Sequence, residues 1–222
     1  MSPHGAGSRT AFIVDHHPLF RRGVAECLRG AGFEIVGEAA NPAEALSLLQ
    51  RVRADIAIVD LRFNYSSGLD FIHDLRRLYP QMKVLVLTVK DESFHASRAI
   101  RAGANGFISK ASDPADVLAA VEKCLGGGVY ISETMASRII GRMTARTRAP
   151  EEGSVELLTD REVAVLEMIG SGLPARKIAK ALNISPKTVD SHRQHIKAKL
   201  KLPDAAALSR FALEWVSEGP AK

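Results

Sequence analysis

The sequence has little cysteine, no long uninterrupted apolar run and no internal repeat. Only two cysteines occur among 222 residues, and Cys27 and Cys124 each fall on the apolar side of a predicted helix. This pattern argues against a disulfide-rich fold and favours buried thiols in a reducing compartment. No segment is long enough to span a bilayer, and the first ten residues lack the apolar core of a signal peptide. We therefore expect a cytoplasmic protein with no membrane partner.

Length and charge predict two domains, one of which has a basic surface. A chain of 222 residues suits two domains, neither so small that it needs a metal or a disulfide to fold. Residues 1–125 contain 15 basic and 14 acidic residues, whereas residues 154–222 contain 11 and 8. The C-terminal excess gathers on one predicted pair of helices. It therefore indicates a nucleic acid partner more strongly than the overall net charge of +5 does.

The segment 185–202, SPKTVDSHRQHIKAKLKL, predicts a helix with two contrasting faces. Ser185 can cap its start and Pro186 suits its first turn. At 100° per residue, one face carries Val189, His192, Ile196 and Leu200, and the other carries Lys187, Asp190, Ser191, Gln194, Ala198 and Lys201. Gln can pair with adenine, Asp with cytosine and Ser with either, while Lys meets phosphate. The second face therefore suits a DNA major groove, although a solvated amphipathic helix would give a similar pattern.

What precedes this helix favours the DNA-binding interpretation. A shorter helical stretch, PARKIAKAL, ends at a tight connection, Asn183-Ile184. A helix, a short turn and a basic second helix form the helix-turn-helix arrangement. Further upstream, Thr159 and Glu162 have the spacing of a capping box. The residues predicted to contact DNA are Arg176, Lys177, Lys187, Thr188, Asp190, Ser191, His192, Arg193, Gln194, Lys197 and Lys201.

Together these features resemble the LuxR-type DNA-binding domain of the NarL/FixJ subfamily of response regulators. The matching stretch reads LLTDREVAVLEMIGSGLPARKIAKALNISPKTVDSHRQHIKAKL. The resemblance implies a small all-α domain of about four helices, over residues 154–218, that binds double-stranded DNA.

The last predicted helix carries an apolar stripe of Leu208, Phe211, Ala212 and Trp215. Such a stripe on a terminal helix is too apolar to remain in water. We predict that Leu208, Phe211 and Trp215 take part in a homodimer on DNA, with Trp215 as the main contact. The alternative is that all four residues pack inside the domain. Two-fold pairing would predict a palindromic operator.

Residues 10–125 alternate short apolar runs with helical patterns. The runs are AFIVD, FEIVGE, IAIVD, KVLVLT and GFI. Apolar strands that alternate with amphipathic helices predict a five-stranded parallel sheet covered on both faces, a doubly wound, flavodoxin-like α/β fold. Residues 126–153 are interpreted as a linker, with a connecting helix over 132–143 and a flexible tether near its end.

Four polar residues fall where these strands end. Asp15, Asp60 and Thr88 end three strands, and Lys110 closely follows another. Since ligands of such folds bind at the carboxyl ends of the strands, the four side chains predict a phosphoryl-acceptor site. Taken singly, a strand-end Asp or Thr often only caps the next helix, but four in register make coincidence the weaker explanation.

The whole segment resembles the receiver domain of response regulators. The resemblance implies that Asp60 accepts a phosphoryl group, that Thr88 and Phe107 form the switch, and that Lys110 grips the product. It implies a sensor histidine kinase as a partner. It also implies a Mg²⁺ site at Asp15, Asp60 and the backbone carbonyl of Arg62.

The metal site departs from the pattern of that family. His16 occupies the position of a second acidic ligand, Arg62 lies two residues after Asp60, and Asn64 replaces the usual Pro. Because Mg²⁺ prefers oxygen ligands, the sequence predicts weakened Mg²⁺ binding and slow or absent phosphorylation of Asp60. His16 and His17 are expected to point apart at the end of a strand, so no zinc pair is predicted.

The sequence leaves three functions open. The leading one is a transcription regulator of a two-component system, in which the receiver domain controls DNA binding. The second keeps DNA binding but assigns the receiver to phosphorylation-independent dimerisation or ligand sensing, which His16 and Arg62 favour. The third, a phosphotransferase with an aspartyl nucleophile, lacks the second Asp that such enzymes commonly place two residues after the nucleophile, since Arg62 is there.

Overall fold

The N-terminal part of the chain is an α/β domain. The computed structural model describes residues 9–63, 66–90, 92–133, 135–137 and 152–218. The elements are β1 (Arg9–Val14), α1 (Pro18–Gly30), β2 (Phe33–Ala39), α2 (Pro42–Leu49), β3 (Ile56–Val59), β4 (Arg62–Phe63), β5 (Ser66–Ser67), α3 (Gly68–Leu78), β6 (Lys83–Thr88), α4 (Glu92–Ala102), β7 (Gly106–Ser109) and α5 (Pro114–Leu125). Five strands form a parallel sheet in the order β2-β1-β3-β6-β7, while β4 and β5 form a small antiparallel ribbon. The predicted doubly wound fold is confirmed.

The middle of the sheet is buried on both faces because its central strands carry runs of apolar residues, such as IAIV in β3. Successive side chains of a strand point to opposite faces. Phe12 and Val14 accordingly lie in one core, and Ala11 and Ile13 lie in the other. The strand order reverses between β1 and β3, and at this point their carboxyl ends open a crevice for polar groups.

The C-terminal part is a separate helical unit with its own core. It begins with a 3₁₀ turn, Val155–Leu157, and continues with α6 (Asp160–Gly170), α7 (Ala175–Ala181), α8 (Pro186–Leu200) and α9 (Ala205–Glu218). Thr159 and Glu162 form the predicted capping box, and Ser185 caps α8 through the backbone N–H of Thr188. Asn183 has a φ of 52°, which makes the tight turn between α7 and α8.

Only part of the predicted linker falls within the described residues. Residue 133 and residues 135–137 are helical, as predicted, but the rest of the expected helix over 132–143 and residues 146–151 of the tether lie outside the described part. Cys27 and Cys124 are both free, and burial raises the pKa of the Cys124 thiol to about 11. Within the described residues, no helix is both long enough and apolar enough to cross a bilayer.

Candidate phosphoryl-acceptor site, metal ligands and DNA-facing helix

The strand ends bring Asp15, Asp60, Thr88 and Lys110 together, as predicted. Both carboxylates and the hydroxyl are almost fully buried. Lys110 Nζ lies 2.5 Å from Asp15 Oδ2 and 2.8 Å from Asp60 Oδ2. Thr88 Oγ1 donates a hydrogen bond to Asp60 Oδ1 over 2.7 Å. The single ammonium of Lys110 thus lies between two carboxylates and reduces their mutual repulsion in a region of low dielectric constant.

Phe107 lies in the receiver core, and Arg62 contacts Asp60 through its backbone. Phe107 is 1% exposed and belongs to the core beneath the sheet. Arg62 extends an exposed side chain, while its backbone N–H donates to Asp60 Oδ1 over 3.1 Å. The part of its carbonyl in binding a metal stays a prediction, as does the switch role of Phe107. Asn64 lies outside the described residues.

His16 and His17 do not point apart, so that prediction is wrong. Their ring centroids are 3.6 Å apart. The strand ends at Val14, and the chain bends before Pro18 starts α1. Asp15 Oδ1 accepts the backbone N–H of His17 over 2.8 Å and lies 3.2 Å from its Nδ1. This local turn folds His17 back over the carboxylate, because residues in a bend do not alternate as they do in a strand.

His16 is held neutral beside two carboxylates. Burial lowers its pKa, the neighbouring His17 lowers it further, and the attraction of Asp60 and Asp15 does not compensate. Its Nδ1 atom is buried without a hydrogen-bond partner and lies 3.6 Å from Asp60 Oδ2. A neutral imidazole in this position is a poor ligand for Mg²⁺, which prefers six oxygen atoms. The donor set around Asp60 therefore fits Mg²⁺ poorly.

The two faces of α8 divide as the sequence predicts. Val189, Ile196 and Leu200 are buried in the C-terminal core. The exposed side chains of the outer face are Lys187, Asp190, Ser191, Gln194, Ala198 and Lys201. Thr188 and the α7 residues Arg176 and Lys177 are also exposed, whereas Arg193 and Lys197 are partly exposed. Polar and basic groups thus remain accessible on the helix pair.

His192 lies towards the inner side of α8 and is partly exposed, so its predicted contact with DNA stays a prediction. Its Nδ1 atom is buried, and burial lowers the pKa of the ring. It lies near Glu162, whose carboxylate accepts a hydrogen bond from Lys199 over 2.7 Å. Burial alone would raise the pKa of Glu162, but the bonds from Lys199 and Thr159 together lower it. Lys199 thus holds α8 to the capping box of α6.

Ionic contacts join the two domains. Arg98 of α4 is 5% exposed and donates to Asp160 Oδ1 over 2.6 Å and to the carbonyl oxygen of Leu158 over 2.8 Å. Lys90 forms an ion pair with Glu167 on α6. These contacts place α4 of the α/β domain against α6 of the helical domain. The hydrophobic periodicity of each domain does not predict these contacts between the domains.

Aromatic side chains complete this interface. Phe94 of α4 meets Trp215 of α9 edge to face, with ring centroids 4.8 Å apart. His95 is buried beside them, and burial, Lys90 and Arg98 hold its pKa well below its usual value. The imidazole is therefore neutral where the two domains meet.

The predicted dimer residues pack largely within their own chain, and their part in pairing stays a prediction. Leu208 is fully buried, Trp215 is 7% exposed and Phe211 is half-buried, all in the core of their own chain. The apolar stripe of α9 packs against α6 and against Phe94 of the other domain. In this arrangement the Trp215 ring is covered by Phe94 of the receiver domain. A large apolar side chain of α9 that is exposed is Leu213, at 58%.

Two protein families match the chain, one for each domain. Residues 11–122 match the family described as response regulator receiver domain. Residues 156–212 match the family described as bacterial regulatory proteins, luxR family.

Characterised relatives match along almost the whole chain. The nitrate/nitrite response regulator protein NarP of Escherichia coli (strain K12) is 36% identical over 203 residues, which is 91% of this chain and 93% of NarP. The transcriptional activator protein ExaE of Pseudomonas putida is 36% identical over 207 residues, which is 91% of this chain and 94% of ExaE.

Solved structures show the same fold. A structure of the Salmonella typhimurium RcsB response regulator has a TM-score of 0.74 at 24% identity and covers 97% of this chain and 100% of that one. RcsB from Salmonella enterica serovar Typhimurium, bound to promoter rprA in the presence of the phosphomimetic BeF₃⁻, has a TM-score of 0.71 at 24% identity. The match covers 93% of this chain and 99% of the RcsB chain.

Proposed function

The chain belongs to the two-component response regulators of the NarL type, and from that premise we propose how its receiver and LuxR-type domains act. It is a DNA-binding transcription regulator, as its relatives are, and the phosphotransferase alternative is not favoured. For the domain limits we propose residues 10–125 for the receiver, 126–153 for the linker and 154–218 for the DNA-binding domain.

The outer face of α8 reads DNA in this proposal. The observation that carries it is a capped helix whose apolar side is buried and whose polar side is open to solvent. Asp190, Ser191 and Gln194 reach base edges, while Lys187, Lys197 and Lys201 meet phosphates. Arg176 and Lys177, at the start of α7, are placed to hold the backbone as the first helix of such a motif does.

Replacing Gln194 by alanine tests the base-reading face. If Gln194 pairs bidentately with a base, the change should cost about 1–3 kcal/mol of discrimination at one operator position. Lys197→Ala is the matched control on the same helix. It should weaken binding to all sequences alike and reduce the salt dependence by about one unit of slope. Binding to single-position operator variants measures both, and a uniform loss from Gln194→Ala would contradict its role as a base reader.

In the proposed mechanism, α9 contacts either the receiver domain of its own chain or a second copy of the chain. Phe94 covers Trp215 in the docked chain. Pairing of two chains through Trp215 therefore requires the receiver to move away first. Solved structures of RcsB include two dimers bound to two parallel DNAs. We propose that this chain likewise binds a palindromic operator as a homodimer after the receiver is released. Single, unpaired half-site footprints at saturating protein would contradict pairing.

A short chain of contacts connects Asp60 to the domain interface. Thr88 Oγ1 donates to Asp60 and accepts the backbone N–H of Lys90 over 3.3 Å. Lys90 is ion-paired with Glu167 of the DNA-binding domain. A change at Asp60 that moves Thr88 would therefore disturb the pair that holds α6. A sensor histidine kinase is the proposed source of phosphate for Asp60.

The altered acidic pocket predicts poor phosphorylation. We expect weak Mg²⁺ binding and little phosphoprotein after exposure to a small phosphodonor, because an imidazole replaces a carboxylate ligand. His16→Asp restores the oxygen ligand and should tighten Mg²⁺ binding, as an NMR titration would show. Phosphoprotein electrophoresis separates the phosphorylation-dependent function from the phosphorylation-independent alternative. Rapid phosphorylation of unchanged protein on Asp60, with tight Mg²⁺ binding, would show this description of the pocket to be wrong.

A further inference from the structure

Four metal-binding side chains converge at the receiver's strand ends. They are Asp15, His16, His17 and Asp60, and one donor atom of each lies within 4.8 Å of all the others. Two donors are carboxylate oxygens and two are imidazole nitrogens. We infer that this cluster binds a borderline divalent transition metal ion, of which Zn²⁺ is the type, in place of Mg²⁺. The inference deepens the proposed role of the receiver and does not depend on the DNA contacts of α8.

The distances between the donors resemble the edges of a small coordination polyhedron. Zn²⁺ lies about 2.0–2.1 Å from nitrogen and oxygen ligands, so ligands at tetrahedral angles are about 3.3 Å from one another. His17 Nδ1 is 3.2 Å from Asp15 Oδ1, and His16 Nδ1 is 3.6 Å from Asp60 Oδ2. His16 Nδ1 is also 3.9 Å from Asp15 Oδ1. An ion at their centre would therefore require only small side-chain movements.

The chemistry of the donors selects the ion. Imidazole suits zinc, copper, nickel and iron, whereas magnesium favours carboxylate and water. His16 Nδ1 is buried and has no hydrogen-bond partner among the described residues, which leaves a costly unsatisfied group that a metal ion would satisfy. The His17 side chain is half exposed, so the cluster has a route to solvent. Replacing one acid by His16 thus weakens the site for Mg²⁺ and adapts it to a softer ion.

Lys110 is the charge with which the ion must compete. Its ammonium now bridges Asp15 and Asp60, and it lies 4.4 Å from the centre of the Phe20 ring. A divalent ion would repel this ammonium and take over its neutralising role, while the aromatic ring would still offer Lys110 a favourable contact. Lys110 would then no longer hold Asp60, which is bonded to Thr88.

A second histidine cluster, in the C-terminal domain, requires a control. Glu162, His192 and His195 also have donor atoms within 4.8 Å of one another. However, the Glu162 carboxylate already accepts hydrogen bonds from Lys199 and Thr159. Because exposed His195 could still capture zinc weakly, His195→Ala provides a background in which only the receiver cluster remains.

The test is calorimetric titration of the full-length protein with Zn²⁺, with and without His195→Ala. One ion should bind per chain in both. Loss of a single outer partner of a metal ligand costs about 10–100-fold in affinity, so loss of a direct ligand should cost at least as much. We therefore expect His17→Ala and His16→Ala to weaken Zn²⁺ binding at least tenfold. His73→Ala, which removes an exposed histidine of α3 outside both clusters, should leave it unchanged.

Cobalt supplies an independent spectroscopic measurement. Co²⁺ bound by two imidazoles and two carboxylates should show the intense visible absorption of a four-coordinate ion, and His17→Ala should remove it. Absence of binding, unchanged affinity in His16→Ala and His17→Ala, or complete loss in His195→Ala would overturn the inference. A failure of this kind would leave the operator measurements with Gln194→Ala unaffected, so it would be distinguishable from failure of DNA binding.

Discussion

Replacing Arg98 by alanine is expected to detach the receiver from the DNA-binding domain and to destabilise the docked arrangement by about 3 kcal/mol. The guanidinium is 6% exposed and bridges Asp160 and the carbonyl oxygen of Leu158. Its removal leaves a buried carbonyl and a carboxylate without their charged partner. Asp160 is 34% exposed, so water recovers part of the loss. Arg98 also lies 4.5 Å from the centre of the Phe94 ring, a contact that disappears with it.

Distances between one fluorescent label on each domain would report the separation directly. Arg77→Ala is the matched control, because Arg77 forms an exposed pair with Asp74 on α3 and its loss should cost less than about 1 kcal/mol. Since detachment uncovers Trp215, Arg98→Ala should also raise the affinity for palindromic DNA without a phosphodonor. Unchanged distances between the labels in Arg98→Ala would show that this residue does not hold the domains together.

Features set by neighbouring residues could be predicted from the sequence. The capping box of Thr159 and Glu162, the cap at Ser185 and the faces of α8 depend on spacings of a few residues, which periodicity and capping chemistry describe well. The convergence of Asp15, Asp60 and Lys110 was also predictable. Parallel strands place their carboxyl ends along one edge, so strand-end residues meet whatever their separation in the chain.

Features set by distant or irregular contacts could not be predicted in this way. Phe94 and Trp215 belong to different domains, and no repeat within either domain indicates that they touch. The apolar stripe of α9 was therefore open to two interpretations, a partner chain or the chain itself. The predicted direction of the His17 side chain was wrong for a local reason. The bend at Asp15 interrupts the alternation of side chains that a strand would have. Pro18 directly after it was the signal that a turn, and not a continuing strand, precedes α1.

Gly170→Ala is expected to destabilise the DNA-binding domain by about 3 kcal/mol, at the upper end of the usual cost of overpacking. A Cβ at this position would lie 2.1 Å from the carbonyl oxygen of Ala212 and 2.6 Å from Val216 Cγ2. The first of these atoms is backbone and cannot turn aside, so α6 and α9 would have to separate. The fluorescence of Trp215, the single tryptophan of the chain, would report this during urea unfolding.

The same substitution at Gly23 provides the control, because it adds a methyl group to a helix without a clash. Gly23 lies within α1, and a Cβ there would have nothing within 4 Å. Alanine should therefore stabilise the receiver by about 0.5–1 kcal/mol, through the lower conformational entropy of its unfolded chain. Because α6 supports α8 through Glu162 and Lys199, Gly170→Ala should also weaken DNA binding, whereas Gly23→Ala should not. If the Trp215 transition keeps its urea midpoint in Gly170→Ala, the close packing of α6 on α9 does not stabilise the DNA-binding domain.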